Sequence, residues 1–196
     1  VDISGGIYNG YIYIVWANVG VPGTNTGSNV SIYCMRSTDG GTTWGTPVRV
    51  NQGYTTDGLA SYFPWITCDP VTGKLFCIFY DDRNLGTSST ACEVWVAYSE
   101  NGGVTWSDFR VGDVSFTPAP IAGLAGGYFG DYLGITARNG WVYPCWTDNR
   151  SGRALTYVSP IHFTDYCVAT GGCDEHISNV QIGSINNTSA CEGYQN

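Results

Sequence analysis

The chain has 196 residues, of which 14% are aromatic and only 12% charged, with 27 glycines and a formal net charge of −8. Lys74 is its single lysine, so it lacks the clustered Lys and Arg that nucleic acid or an anionic membrane surface requires. No apolar run approaches the ~20 residues that span a bilayer, and no helical period of useful length occurs.

Three similar units follow one another. The first opens with the apolar run Val1-Asp2-Ile3, turns at Gly10 and continues through Tyr11 to Trp16. A strand-like run from Val30 to Arg36 comes next, then Ser37-Thr38-Asp39-Gly40-Gly41-Thr42-Thr43-Trp44 and a short strand at Arg49-Val50. The second unit repeats the pattern with Pro64 to Cys68, a turn over Asp69 to Gly73, Lys74 to Phe79 and Cys92 to Tyr98. Ser99-Glu100-Asn101-Gly102-Gly103-Val104-Thr105-Trp106 follows, ahead of Arg110-Val111. The third runs from Tyr132 to Thr136, turns at Gly140, and continues over Trp141 to Trp146 and 152–159. There Ser159-Pro160-Ile161-His162-Phe163 replaces the Gly-Gly turn, and the array is expected to stop.

Gly10, Gly73 and Gly140 align these units without gaps, at intervals of 63 and 67 residues. The unit template reads strand, tight turn, strand, loop, strand, Gly-Gly turn, strand, and the third copy follows it as far as its third strand. That order predicts an all-β fold of four antiparallel strands per unit, with inner strands at 1–5, 63–68 and 132–138. Repetition at this period marks a propeller or another array of small sheets. In the Gly-Gly turns the Asp or Asn side chain bonds its own backbone and the glycines take φ > 0. Trp44 and Trp106 are expected to be buried over their own hairpins.

The motif S-x-D/N-G-G-x-T-W resembles the Asp box, or BNR repeat, of the sialidase superfamily. The resemblance assigns Ser37, Asp39, Gly41 and Trp44, with Ser99, Asn101, Gly103 and Trp106, to a structural turn away from any active site. It implies that 1–163 is part of a β-propeller, three of about six blades. The remaining blades of the same polypeptide, or a covering partner chain, are then expected against the open side. From 164 to 196 the template is lost. Tyr166-Cys167, Ile177-Ser178-Asn179-Val180-Gln181-Ile182-Gly183 and Asn186-Asn187-Thr188 resemble the opening of a GEVED domain, a small β-sandwich beside secreted enzymes and adhesins of the Bacteroidetes. Pro64 to Pro70, Gly127 to Gly134 and Tyr143 to Gly152 are similar to BNR-repeat proteins of those bacteria, which implies a secreted or cell-surface location reached by type IX secretion.

Eight cysteines beside one methionine suggest an oxidising compartment. Cys68 and Cys77 flank the Asp69–Gly73 turn, where a bridge across the hairpin is one option. Cys34, Cys92 and Cys145 read equally well as buried thiols. No zinc-type cysteine spacing occurs.

A meander brings the loops bearing Asp81-Asp82-Arg83 and Asp148-Asn149-Arg150 to one end, with the connection carrying Tyr128, Asp131 and Tyr132. Two readings of Asp-x-Arg stand side by side. Each arginine either ties its own loop to the neighbouring aspartate, or Arg83 and Arg150, with Asp81, Asp148 and Tyr128, bind an acidic ligand such as a glycan. Asp131 and Tyr132 are catalytic candidates by position, and the oxygen-rich Asp81-Asp82 pair is a candidate calcium site. No other cofactor is indicated. Functionally, a non-catalytic glycan- or matrix-binding module competes with a sialidase-type exo-glycosidase completed by upstream blades.

Overall fold

The structure, a computed structural model, describes residues 1–24, 26–53, 58–124, 126–130 and 132–163. The GEVED-like stretch, Asp131 and Cys167, Cys173 and Cys191 lie outside the described residues. Within them the chain is all-β, with eleven strands in three sheets and no helix. No helix is long and apolar enough to cross a membrane among these residues.

The first sheet runs β1 (Ile12–Val21), β2 (Thr26–Ser37) and β3 (Val48–Arg49), and the second β4 (Ser61–Cys68), β5 (Leu75–Asp81), β6 (Glu93–Ser99) and β7 (Ser107–Arg110). In the third, β9 (Trp141–Asp148) pairs on one edge with β8 (Gly134–Arg138) and on the other with β10 (Leu155–Val158) and β11 (Ile161–His162). All pairing inside a sheet is antiparallel.

Two expectations are corrected. The expected strand over 1–5 does not form. Only Asp2 reaches β1, through Asp2 N–H to Tyr11 O (2.9 Å) and Gly10 N–H to Asp2 O (2.8 Å). Ile3 to Asn9 bend away in turns held by the Asp2, Ser4 and Asn9 side chains. The third strand of the third sheet does not stop at Ser159. Ser159-Pro160 interrupts it, since proline has no N–H for the ladder, and β11 resumes opposite Val142 and Trp141 on the same edge.

β5 shows how the sheets stack. All seven of its residues are buried. Leu75, Cys77 and Phe79 join Tyr13, Ile32, Cys34 and Val50 of the first sheet in one core, while Phe76, Ile78 and Tyr80 join Ile135, Val142 and Trp146 of the third in another. A strand with period-two alternation thus feeds two cores because it lies between two sheets. Each fully buried aliphatic side chain contributes ~1.5–3 kcal/mol of apolar burial.

The aligned glycines do what their spacing implies. Gly10, Gly73 and Gly140 have φ of 86°, 71° and 81°, a region L-residues rarely occupy. Asp69 adds a link between sheets: its Oδ1 accepts the N–H groups of Val71, Thr72 and Asn139, and its Oδ2 that of Gly140 at 2.8 Å. Burial works against this charge, but the four donors hold the carboxyl below the usual carboxylate range.

All five described cysteines are free thiols, so the Cys68–Cys77 option does not form. Cys77 stands opposite Ile66 and Cys68 opposite Leu75, in different rungs of the ladder. Burial pushes the thiols of Cys34, Cys68 and Cys92 up to about 12, which keeps them protonated and inert.

Candidate functional site

Antiparallel register gathers one set of loops at one end of the stack. β5 ends at Asp81 opposite Ser61, where β4 begins, and β9 ends at Asp148. From these aspartates the chain turns directly into Arg83 and Arg150, and the arginines are engaged in matching ways. Arg83 donates from Nε to Asp81 Oδ1 (2.9 Å) and from an Nη to Asp81 Oδ2 (2.7 Å), reaches Asp108 at 2.7 Å, and lies 4.0 Å over the Trp95 ring. Arg150 holds both oxygens of Asp148, pairs with Asp113 and lies 4.3 Å over Tyr157. Trp95 and Tyr157 occupy corresponding positions, two residues along the strand from the partners of Asp81 and Asp148. This is the geometry of the loop-tying reading. Burial opposes the charge on Arg83, yet Asp81 and Asp108 more than offset it and raise its pKa.

The first sheet carries Asn18 and Gly20 at the corresponding positions, and Asn18 instead caps the carbonyls of Val19 and Gly20. No arginine stands there, so the device occurs in two of the three units.

The oxygens of Asp81 are committed to Ser61 and Arg83. Asp82 Oδ1 accepts the Ala60 N–H at 2.7 Å. Burial, together with the neighbouring charge of Asp81, raises the Asp82 carboxyl above its ordinary range. Among the described residues no group of three or more His, Cys, Asp or Glu side chains is placed to hold a metal ion.

The same end opens a cleft of about 290 Å³ that the sequence only partly foreshadows. Tyr62 and Phe63 of β4 and Tyr80 of β5 form one wall; Tyr128 and Phe129, with Pro118, Gly127 and Gly130, form the other. Tyr62 and Phe63 meet edge to face at 5.2 Å, and Tyr80 lies 5.6 Å from Tyr62. Tyr80 is anchored from behind, its hydroxyl donating to Thr147 O at 2.6 Å. Phe116 sits 5.6 Å from Tyr80 and 5.9 Å from Phe129, so it backs both walls. The connection is closed on itself by Ile121 N–H to Tyr128 O (2.9 Å).

Phe63 has φ = 56° at an irregularity in the β4–β5 ladder. A bulky non-glycine residue in this region costs on the order of 1–3 kcal/mol, and such strain concentrates at sites of function. Phe63 at this bulge is 37% exposed. Tyr128 was legible as a loop aromatic, but Tyr62, Phe63 and Phe129 were not singled out. Phe129 was available from its place beside Tyr128; the bulge at Phe63 leaves no local signature, because the following Pro64 favours extended backbone there.

Tyr132 is 77% exposed and meets Trp65 edge-on at 6.3 Å, away from the cleft lining. At the opposite end lie the two Gly-Gly turns. Ser37 Oγ donates to Asp39 Oδ1 and accepts the Gly41 N–H, both at 2.8 Å, while Thr43 N–H reaches Asp39 Oδ1 at 2.8 Å. Ser99, Asn101, Gly103 and Thr105 repeat these contacts at 3.0, 3.0 and 2.9 Å. Gly40, Gly41, Gly102 and Gly103 all have positive φ.

The tryptophans differ. Trp106 is 7% exposed and belongs to the core shared by the first and second sheets, so it seals that junction; Trp44 is 38% exposed. The expectation of burial at both positions is therefore corrected for Trp44. Its flank of the first sheet has no neighbour among the described residues.

No protein-family model and no curated protein matches the chain. Among solved structures, a Hadza microbial sialidase is similar over 80% of this chain and 33% of its own, at 14% identity and a TM-score of 0.49. A family 117 glycoside hydrolase of the marine bacterium Zobellia galactanivorans is similar over 78% of this chain and 48% of its own, at 16% identity and a TM-score of 0.41. The chain thus spans a third to a half of the length of these structures. Likeness at this level assigns neither fold nor activity.

Proposed function

We propose that the chain is a three-blade arc of a secreted or cell-surface β-propeller of the BNR type, and that it binds glycan without turning it over. The observation that carries the reading is the cleft with aromatic side chains on both walls. Clefts of this kind bind small ligands by apolar contact, with a few polar groups to orient them; tyrosine supplies both the ring face and the hydroxyl. The repeated Gly10/Gly73/Gly140 turns and the paired Asp-box hairpins support the propeller part. Further blades against the exposed flanks belong to the same proposal, as does a GEVED-like module after 163.

One observation favours the exo-glycosidase alternative: burial raises the Asp82 carboxyl above its ordinary range, the direction in which a general acid is tuned. Incubating the chain with a panel of fluorogenic glycosides while measuring retention on immobilised oligosaccharides separates the two. Retention without release of fluorophore is the expected result. Turnover that disappears in Asp82→Asn would replace binding by catalysis.

A further inference from the structure

We propose that the aromatic cleft takes a neutral sugar, a pyranose ring laid by its C–H face on Phe63 and Tyr128, an assignment that rests on the glycan reading above. Charge points this way. No lining residue carries a formal charge at neutral pH. Of the arginines in the loops at this end, Arg83 is engaged by Asp81 and Asp108 and Arg150 by Asp148 and Asp113, while the exposed Arg153 does not line the cleft. An acidic sugar entering the cleft would lose water without meeting a guanidinium in the lining.

Burial raises the pKa of the Tyr62 and Tyr80 hydroxyls, with Cys92 adding to the rise at both, so the aromatic lining stays neutral. The C–H face of a neutral pyranose matches the exposed ring of Phe63 and the ring of Tyr128 across the cleft. The cleft, at about 290 Å³, lies just below the ~300–1,000 Å³ range of small-molecule sites, which suits a single sugar ring rather than a protein segment.

The test uses the whole chain on a printed array that sets neutral oligosaccharides beside sialylated, sulfated and uronate-containing counterparts. Signal is expected on neutral glycans, about tenfold weaker for Phe63→Gly and for Tyr128→Ala. Glycine suits the positive φ of Phe63. Melting temperatures close to that of the parent chain would show that both variants fold; if Phe63→Gly melts early, Tyr128→Ala decides. Signal confined to acidic glycans overturns the neutral assignment and leaves the glycan reading standing. Signal on no glycan overturns both. Neutral binding that neither variant weakens overturns the placement in this cleft. Titration with choline giving saturable binding while the array stays blank would mark the rings as a cage for a cation, and that also overturns the proposal.

Discussion

The middle sheet and the two outer sheets are built from the same repeated pattern, yet they are used differently. In β5 every residue is buried, whereas β9, its counterpart in the third sheet, alternates: Val142, Pro144, Trp146 and Asp148 are buried and Trp141 and Tyr143 are exposed. β1 likewise buries Tyr13 on the second sheet and leaves Ile14 exposed. The difference comes from position in the stack rather than from strand type. A strand with a neighbour on each face reads as continuously apolar, and one at the end keeps the two-residue alternation.

The tryptophans of the Gly-Gly turns make the same point. Trp106 reaches back toward the first sheet, whose Arg36 also donates to Gly102 O at 2.8 Å. Trp44 occupies the same place in its own turn but finds no preceding sheet among the described residues. In the third sheet, which lacks the Gly-Gly turn, Phe163 supplies the aromatic instead. It lies 5.1 Å from Phe76 and 5.0 Å from Tyr98, and Phe76 occupies the position that Tyr13 holds in the first unit.

The comparison can be broken most directly in the core. Phe79→Ala should cost ~3–5 kcal/mol, the range for truncating a fully buried aromatic, whereas Trp141→Ala on the outer face of the third sheet should cost under ~1 kcal/mol. Equal losses in chemical denaturation would mean that both faces of the third sheet are covered in solution. Of nearly the same size is Arg83→Ala, which leaves the buried carboxylates of Asp81 and Asp108 without their cation and should cost ~3–5 kcal/mol. Arg150→Ala should cost less, because its partner Asp113 is half exposed. A loss for Arg83→Ala below ~1 kcal/mol would remove the loop-tying role.

Next come the tryptophans. Trp106→Ala should lower stability by ~3–5 kcal/mol and Trp44→Ala by about 1 kcal/mol. A large loss at Trp44 would show that its side of the first sheet is covered. The smallest effect separates the two turns by pH. The Thr43 hydroxyl and N–H, with the Ser37 hydroxyl, lower the Asp39 carboxyl to about 2. Its folded value thus lies below the unfolded value of about 3.9. The stabilisation is present above that unfolded value and is lost as pH falls toward the folded one. Asn101 cannot titrate. Asp39→Asn should therefore flatten part of the stability decline on acidification, leaving the contribution of Asp69, whose carboxyl is also depressed. An unchanged acid limb would dissociate Asp39 from the stability of its turn.

Much of the fold was legible because its signals are local. The positive-φ glycines, the Ser-Asx hydrogen bonds and the strand periods are all set within a few residues. The first inner strand was misplaced because the apolar run Val1-Asp2-Ile3 looked like a strand, although pairing stops at Asp2. At the candidate site, sequence grouped Arg83, Arg150 and Tyr128 at one end. It left open whether the arginines face a ligand or their own aspartates, and it passed over Tyr62, Phe63 and Phe129.

What the amino-acid sequence determined by itself was the repeat, its turns and its antiparallel strand order, because side chain-to-backbone bonds and glycine torsions act at short range. Tertiary structure alone decided which strand is buried on both faces, which tryptophan is sealed, how Arg83 and Arg150 are engaged and which aromatics form the cleft. Each of those outcomes depends on groups brought together from distant parts of the chain, as when Asp108 meets Arg83 or the Tyr80 hydroxyl finds Thr147.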